Sequence, residues 1–316
     1  MDMTHRSTPG KRPGSRLKPV TDSLESVGFV SKGDRKLLDH TTQEKYYAQI
    51  TQRYFEFCAR HSEDLDAAWA SLPISASGDA TKNPPAAFPQ TKSDRSTRSP
   101  GPSASAELST LLLSLRKLRE AVLATASTIP VAFSQRVHLF SIKLSIQAKH
   151  PPSYFPSLRY VLEKLHTTSH PLPEPQLRDV ISYLILDYAC RQEDLVAAFE
   201  LRAQARSGYS FQSETVDRVL TALAHDNWVV FWQVRREVDS PTRAVMDWAA
   251  DRVRRHALKA VGNAYLNVGV RWVTEGCTGD KSWTWESLAE KEKLGWDKEG
   301  DKIIIKRPRP KQAKPV

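Results

Sequence analysis

The sequence lacks the patterns that announce common enzyme classes. It carries no GxSxG, no HExxH, no Walker A loop and no GxGxxG, so the usual signatures of serine-hydrolase, zinc-protease, P-loop and dinucleotide chemistry are missing. Cysteine is scarce: Cys58, Cys190 and Cys277 are far apart, odd in number and without a CxxC pair. That spacing argues against a disulfide framework and a cysteine zinc site, and reduced thiols in a cytoplasmic or nuclear protein are the simplest expectation. No apolar run approaches the ~18 residues that span a bilayer. The opening "MDMTHRSTPGKRPGSRLK" has no apolar stretch behind its basic residues, unlike a secretory signal. No membrane partner, cofactor or small-molecule substrate is therefore expected.

Histidine offers one lead toward metal chemistry. His225-Asp226 matches one motif of metal-dependent phosphohydrolases, which need further His and Asp ligands nearby. His138, His150, His166 and His170 are present, but no spacing fixes them in a ligand geometry. The plainer reading ends a helix at His225, with Asp226 or Asn227 capping the next one.

Basic residues are in excess. The 316 residues carry a formal net charge of +10, with 40% hydrophobic and 26% charged residues. Such a balance suits a soluble globular chain with an anionic partner, whether RNA, DNA or an acidic protein surface. Part of the excess lies in "KRPGSRLK" and "IKRPRPKQAK", near the two ends.

Composition divides the chain. Residues 1–40 are rich in Pro, Gly, Ser and charge and read as a disordered basic tail. Residues 41–74 form a helical segment in which Tyr46, Ile50, Tyr54 and Phe57 draw one stripe. The stripe serves core packing or, through Tyr46 and Tyr54, a partner interface. Residues 75–105 are a low-complexity Pro/Ser/Thr linker, containing a Ser-Pro at 99–100 that phosphorylation could address.

Residues 106–240 read as successive helices: 107–123, 134–150, 154–166, 175–191, 192–205 and two shorter ones to 238. Their apolar residues recur at three and four, and connections are short, so neighbours form antiparallel hairpins stacked as a helical-repeat solenoid. Residues 241–308 change character. A long helix (244–268) leads to a short extended "GVRWVT" (269–274). A helix (284–295) follows, with Thr284 as N-cap and Gly295 closing it. Then come two extended pieces, Trp296 to Lys298 and Lys302 to Lys306, joined at Glu299-Gly300-Asp301. Helix, strand, helix, strand, strand is the order of a winged helix. A lone two-stranded hairpin is marginal in water, so "RWV" is expected as its third strand. Ile303 and Ile305 should face one way, Ile304 the other, and Trp296 should be buried beside the 284–294 helix. Residues 309–316 are a basic tail.

The stretches "LTALAHDNWVVFWQVRREV" (220–238), "RVRRHALKAVGNAYLNV" (252–268) and "LGWDKEGDKIIIKRP" (294–308) carry a resemblance. With Asn227-Trp228, Ala264-Tyr265, Gly295-Trp296 and Ile303 to Pro308 in that order, residues 107–308 resemble the short PCI proteins. That group includes the smallest signalosome subunit, a proteasome lid subunit and the k subunit of translation initiation factor 3. "YLILDYACRQEDLVAAFELRA" is more loosely similar to the Sac3/GANP-type mRNA-export factors. The resemblance implies an all-α solenoid ending in a winged helix, a non-enzymatic scaffold role, and other PCI or complex subunits as partners.

Two residue sets are candidate contacts. Trp283 and Trp285 flank a glycine-bearing loop and either complete the core or anchor a partner; Trp228 and Trp232, four apart, belong to the core and the seam between the two regions. Arg252, Arg255, His256 and Lys259 share a helix face that is either solvated or phosphate-binding. Lys302, Lys306, Arg307, Arg309 and Lys311 add a second basic site on the wing, by which an RNA- or DNA-binding adaptor is the alternative function.

Overall fold

The computed structural model describes residues 24–72 and 103–306. These are mostly helical, with a small antiparallel sheet near their C-terminal end. Three apolar cores follow one another along the chain.

The first core joins α1 (His40–Arg60), α2 (Leu65–Ala70), α3 (Ala104–Ala124) and part of α4 (Val131–Gln147) around Ile50, Phe57, Leu108, Leu111 and Phe133. Asp39 starts α1 by accepting from the Thr42 amide at 2.9 Å, and Ser103 starts α3 through the Ala106 amide. The segment before α1 departs from expectation. Leu24 and Leu37 are buried in this core, and the Tyr46 hydroxyl donates to the Leu24 carbonyl at 2.9 Å. Residues 24–39 are thus packed, because two leucines outweigh the polar composition around them. The tail at 1–23, most of the linker and the basic residues after 306 lie outside the described residues.

The second core is built by the rest of α4, α5 (Pro151–Tyr160), α6 (Glu174–Cys190), α7 (Leu195–Tyr209), α8 (Glu214–Ala224), α9 (Trp228–Glu237) and α10 (Ser240–Met246). Sequence neighbours pack on each other, as short connections require. α10 behaves differently: it returns to lie on α4 and α6. Asp247, just past its end, holds it there by accepting from Arg235 Nε at 2.7 Å and Lys149 Nζ at 3.3 Å. The long helix expected over 244–268 is accordingly two helices, bent where Met246 and Ala249 turn inward with no exposed surface.

A buried carboxylate ties α5 to α6. Asp187 is fully buried, accepts from the Tyr154 hydroxyl at 2.7 Å, and takes both Arg191 Nε and Nη2 at 2.7 Å. Gln192 Nε2 adds a fourth donor at 2.9 Å, so the carboxylate's acceptor sites are filled.

The third core joins α11 (Ala250–Ala264), α12 (Trp285–Glu292) and the sheet. The strands are β1 (Asn267–Gly269), β2 (Asp297–Glu299) and β3 (Lys302–Ile304), in the order β1-β3-β2 and antiparallel throughout. β3 is central, with Ile303 paired to Val268 on one side and Lys298 on the other. Ile303 is fully buried and Ile305 packs partly on the same core. Three details differ from the sequence reading. The first strand is Asn267–Gly269, while 270–276 is helical and includes a π turn at Trp272–Gly276. The apolar spacing Val270, Val273, Cys277 is helical, and it sends Val273 and Cys277 into the core. α12 closes at Lys293, whose left-handed conformation (φ 54°) turns Leu294 back onto the core, where the expectation had Gly295. Trp296 is half-buried, stacked on Trp285 with ring centroids 6.3 Å apart.

The second and third regions meet through Val253 of α11, which is buried in the second core, through Trp228, which packs on both, and most tightly at Trp232. Trp232 of α9 donates from Nε1 to the Cys277 carbonyl at 3.2 Å, and Gly279 (φ +72°) lies against its ring. A Cβ at 279 would fall 2.3 Å from that ring. Gly279→Ala should therefore lower unfolding stability by about 2–6 kcal/mol, from overpacking plus a left-handed alanine. Denaturant titration checks this; an unchanged midpoint would show that the seam is not packed this way.

Candidate docking surface

The seam leaves a groove of about 420 Å³ on the outside of the molecule. One wall is α9, which presents Trp228, Val229 and Arg236; the other is the π turn and the loop after it, with Trp272 and Lys281. Helical spacing explains the first wall: 228, 229, 232 and 236 fall on one side of α9. The second wall exists because 270–276 is helical: Val273 points inward and Trp272, one residue earlier, points out.

Large apolar side chains are exposed here together. Val229 is 62% exposed and Trp272 46%, and Tyr265 beside Trp272 is 49% exposed. The Tyr265 and Trp272 rings touch, with centroids 5.9 Å apart. The rim is charged. Arg236 and Lys281 are exposed cations, Asp280 is an exposed acid, and Arg271 pairs with Glu275 at 2.9 Å. An apolar centre within a polar rim is the anatomy of a protein-docking surface.

The tryptophans singled out from the sequence are engaged elsewhere. Trp285 is buried at 7% exposure in the third core. Trp283 is half-buried between two cations, with the Arg254 guanidinium 4.8 Å and the Lys291 ammonium 5.1 Å from its ring centre. Neither is an accessible anchor. Tyr46 is likewise buried at 3% exposure, and Tyr54 is half-buried, edge-on to Phe140 at 5.3 Å. Burial raises the Tyr54 phenol above its ordinary range. The aromatic stripe of α1 serves the core.

The basic residues divide. Arg252 is held by the body: Nη2 donates to the Ala189 carbonyl at 3.2 Å, and Nη1 lies 3.6 Å from Glu193. Arg255, Lys259, Lys302 and Lys306 are exposed. Arg255 Nε donates to the Asp251 carbonyl at 3.2 Å and Lys306 Nζ to the Asn263 carbonyl at 3.4 Å, so none of these four is drawn off by a carboxylate within salt-bridge distance among the described residues. Arg307 and Arg309 lie outside the described residues. Arg254 went unnoticed in the sequence. It is 4% exposed and donates to Glu292 at 2.6 Å and to Asp251, clamping α12 onto α11.

The histidines do not assemble. Among the described residues, no three of His, Cys, Asp and Glu come together to hold a metal ion. Asn227, not Asp226, caps α9, accepting from the Val230 amide at 3.1 Å. Cys190 and Cys277 are buried, which pushes both thiols up to about 12 and leaves them unreactive. No helix among the described residues is long and apolar enough to cross a membrane. No protein-family model matches the chain, and no curated protein matches it.

The Arg254–Glu292 pair positions α12 and hence the sheet. Both side chains are under a tenth exposed, so Glu292→Gln should lose about 1–3 kcal/mol by exchanging a charge-assisted contact for a neutral one, while Asp251 still pairs Arg254. Replacing both residues with methionine should recover most of it. Equal losses in the single and double variants, read by chemical denaturation, would contradict this role.

Proposed function

We propose that this protein is a non-enzymatic scaffold or adaptor subunit of the PCI type, with helical repeats leading into a winged helix. Its groove between α9 and Trp272 takes an apolar segment of another subunit. The observation that carries this reading is the exposure of Val229 and Trp272 on the two walls of one groove, with exposed Tyr265 against the Trp272 ring. Isolated exposed apolar residues are ordinary; three together at one groove are a recognition feature, and Trp and Tyr dominate interface hot spots. The order α11, β1, α12, β2, β3, with β3 central, supports the winged-helix part of the reading. Assemblies of the proteasome lid, signalosome, initiation-factor or mRNA-processing kind, in cytoplasm or nucleus, are the setting it implies.

A second reading has its own support. Arg255, Lys259, Lys302 and Lys306 are exposed cations on one region of the chain, the pattern by which a nucleic-acid adaptor would meet phosphates.

One comparison separates the two. Val229→Ser with Trp272→Ser removes the apolar rim and should leave stability within about 1 kcal/mol, because both residues are about half exposed or more. Affinity purification with this variant should lose the PCI-type subunits that the wild type recovers. Changing the four cations to Gln should spare those subunits while abolishing any weak, salt-sensitive RNA binding. Partner recovery unaffected by the apolar variant, with tight RNA binding lost in the charge variant, would favour the nucleic-acid adaptor.

A further inference from the structure

We propose that the junction of α3, α4 and α5 is a binding site for a phosphate-class oxyanion, built on Arg119, Arg116 and His150. It is separate from the groove at the other end of the chain and independent of its reading.

Arg119 is the starting observation. Its Nη1 donates to Ser141 Oγ at 3.0 Å, to Ser157 Oγ at 2.7 Å and to the Ser153 carbonyl, spanning α4 and α5. No carboxylate is within salt-bridge reach of it among the described residues. Three other recessed arginines have one: Arg191 has Asp187, Arg235 has Asp247 and Arg254 has Glu292, whereas Arg243 faces only the Arg235 and Val238 carbonyls. A recessed guanidinium facing only neutral acceptors keeps an uncompensated charge. Burial pushes Arg119 down to about 10, so it stays a cation at neutral pH. Its Nε and Nη2 are left for a further acceptor.

The surroundings add positive charge. Arg116, one turn earlier on α3, is exposed, its guanidinium 5.4 Å from the Phe29 ring centre. His150, at the start of α5, is half-buried with Nδ1 2.9 Å from Ser153 Oγ. Both His150 and Arg119 bond to Ser153, which brings the two side chains together, and burial and then Arg119 lower the imidazole's basicity. α5 opens with Pro151-Pro152, and its Ser153 and Tyr154 amides both bond to the His150 carbonyl, at 3.1 and 3.4 Å, so the side chains and not the helix start supply the donors here. His138, 3% exposed, has no hydrogen-bond partner at either ring nitrogen and is also held neutral by burial and Arg119. The nearby acid on α3, Glu120, is turned to the Ser31 amide at 2.5 Å.

A tetrahedral oxyanion matches this donor set. It can accept from a guanidinium edge, an imidazole nitrogen and a second guanidinium at once, and charge-assisted bonds of this kind are the strong ones. A spherical chloride cannot use that geometry. The source can be a free phosphate or a phosphoryl group on a serine, which share the chemistry.

The test uses the full chain. Calorimetric titration and thermal melts are run with inorganic phosphate and, in a second arm, O-phosphoserine, at constant ionic strength set with chloride. Saturable binding with a raised melting temperature is expected, and the tighter arm identifies the source. Arg116→Gln and His150→Gln leave the Nη1 contacts of Arg119 intact, so they should fold as the wild type and each weaken binding by about tenfold, the loss of one charge-assisted contact. Arg119→Lys should abolish binding, but it also removes a brace and serves only beside the other two. Absence of saturable binding in both arms, or wild-type affinity in both Arg116→Gln and His150→Gln, would overturn the site and leave Arg119 as a structural brace.

Discussion

The tightest joint between the helical body and the C-terminal end is where Trp232 meets the loop at 277–279. The indole is 2% exposed, gives its one donor to the Cys277 carbonyl, and lies against a glycine that no other residue could replace without moving it. This contact joins the helical body to the unit that carries the sheet. Trp228, on the same face of α9, packs partly on both the second and the third core. The groove is a consequence. Its two walls belong to different cores, so its width is fixed by the indole beneath it. A docking surface made this way is pre-formed, and binding need not supply the ordering of its walls.

The same economy of polar groups recurs through the fold. Asp187 collects four donors, Arg254 is clamped by two carboxylates, and Arg119 braces three helices through serines. A buried charge persists only where it is paired or hydrogen-bonded, and these sites lie at helix junctions where packing alone would permit sliding. Arg119, like Arg243, meets only neutral acceptors, and its neighbours Arg116 and His150 make it the group proposed to bind an anion, while Arg254, more deeply buried, is already paired.

Much of the helical body was legible from the spacing of Leu, Val and Ile. In 107–123, 175–191 and 214–238 the apolar residues recur at three and four, and the helices lie where that period places them. The hairpin was legible too, because Gly300 between two extended runs admits one reading. What the sequence hid depends on long-range packing. α10 returns to α4 across about a hundred residues, held by Asp247, and no local pattern marks that. "GVRWVT" satisfied a strand alternation and a helical period equally over so short a run, and tertiary burial of Val273 and Cys277 decided for the helix. That one choice moved Trp272 to the surface, and with it the candidate site. Trp283 and Trp285 attracted attention because a glycine-bearing loop precedes them. Yet Arg254, one residue off the basic stripe, had already drawn Trp283 inward.

Native-state hydrogen exchange, residue by residue, tests the central claim that Trp232 makes the body and the sheet-bearing unit one structure. Amides of α9, α11 and β3 should share a common opening free energy in the wild type, because the unit cannot separate without breaking the seam. In Trp232→Ala, protection of α11 and β3 should fall while that of α1 and α3 remains. Unchanged protection of β3 in that variant, or separate opening energies in the wild type, would show that the C-terminal unit stands alone and that the groove is not fixed by the seam.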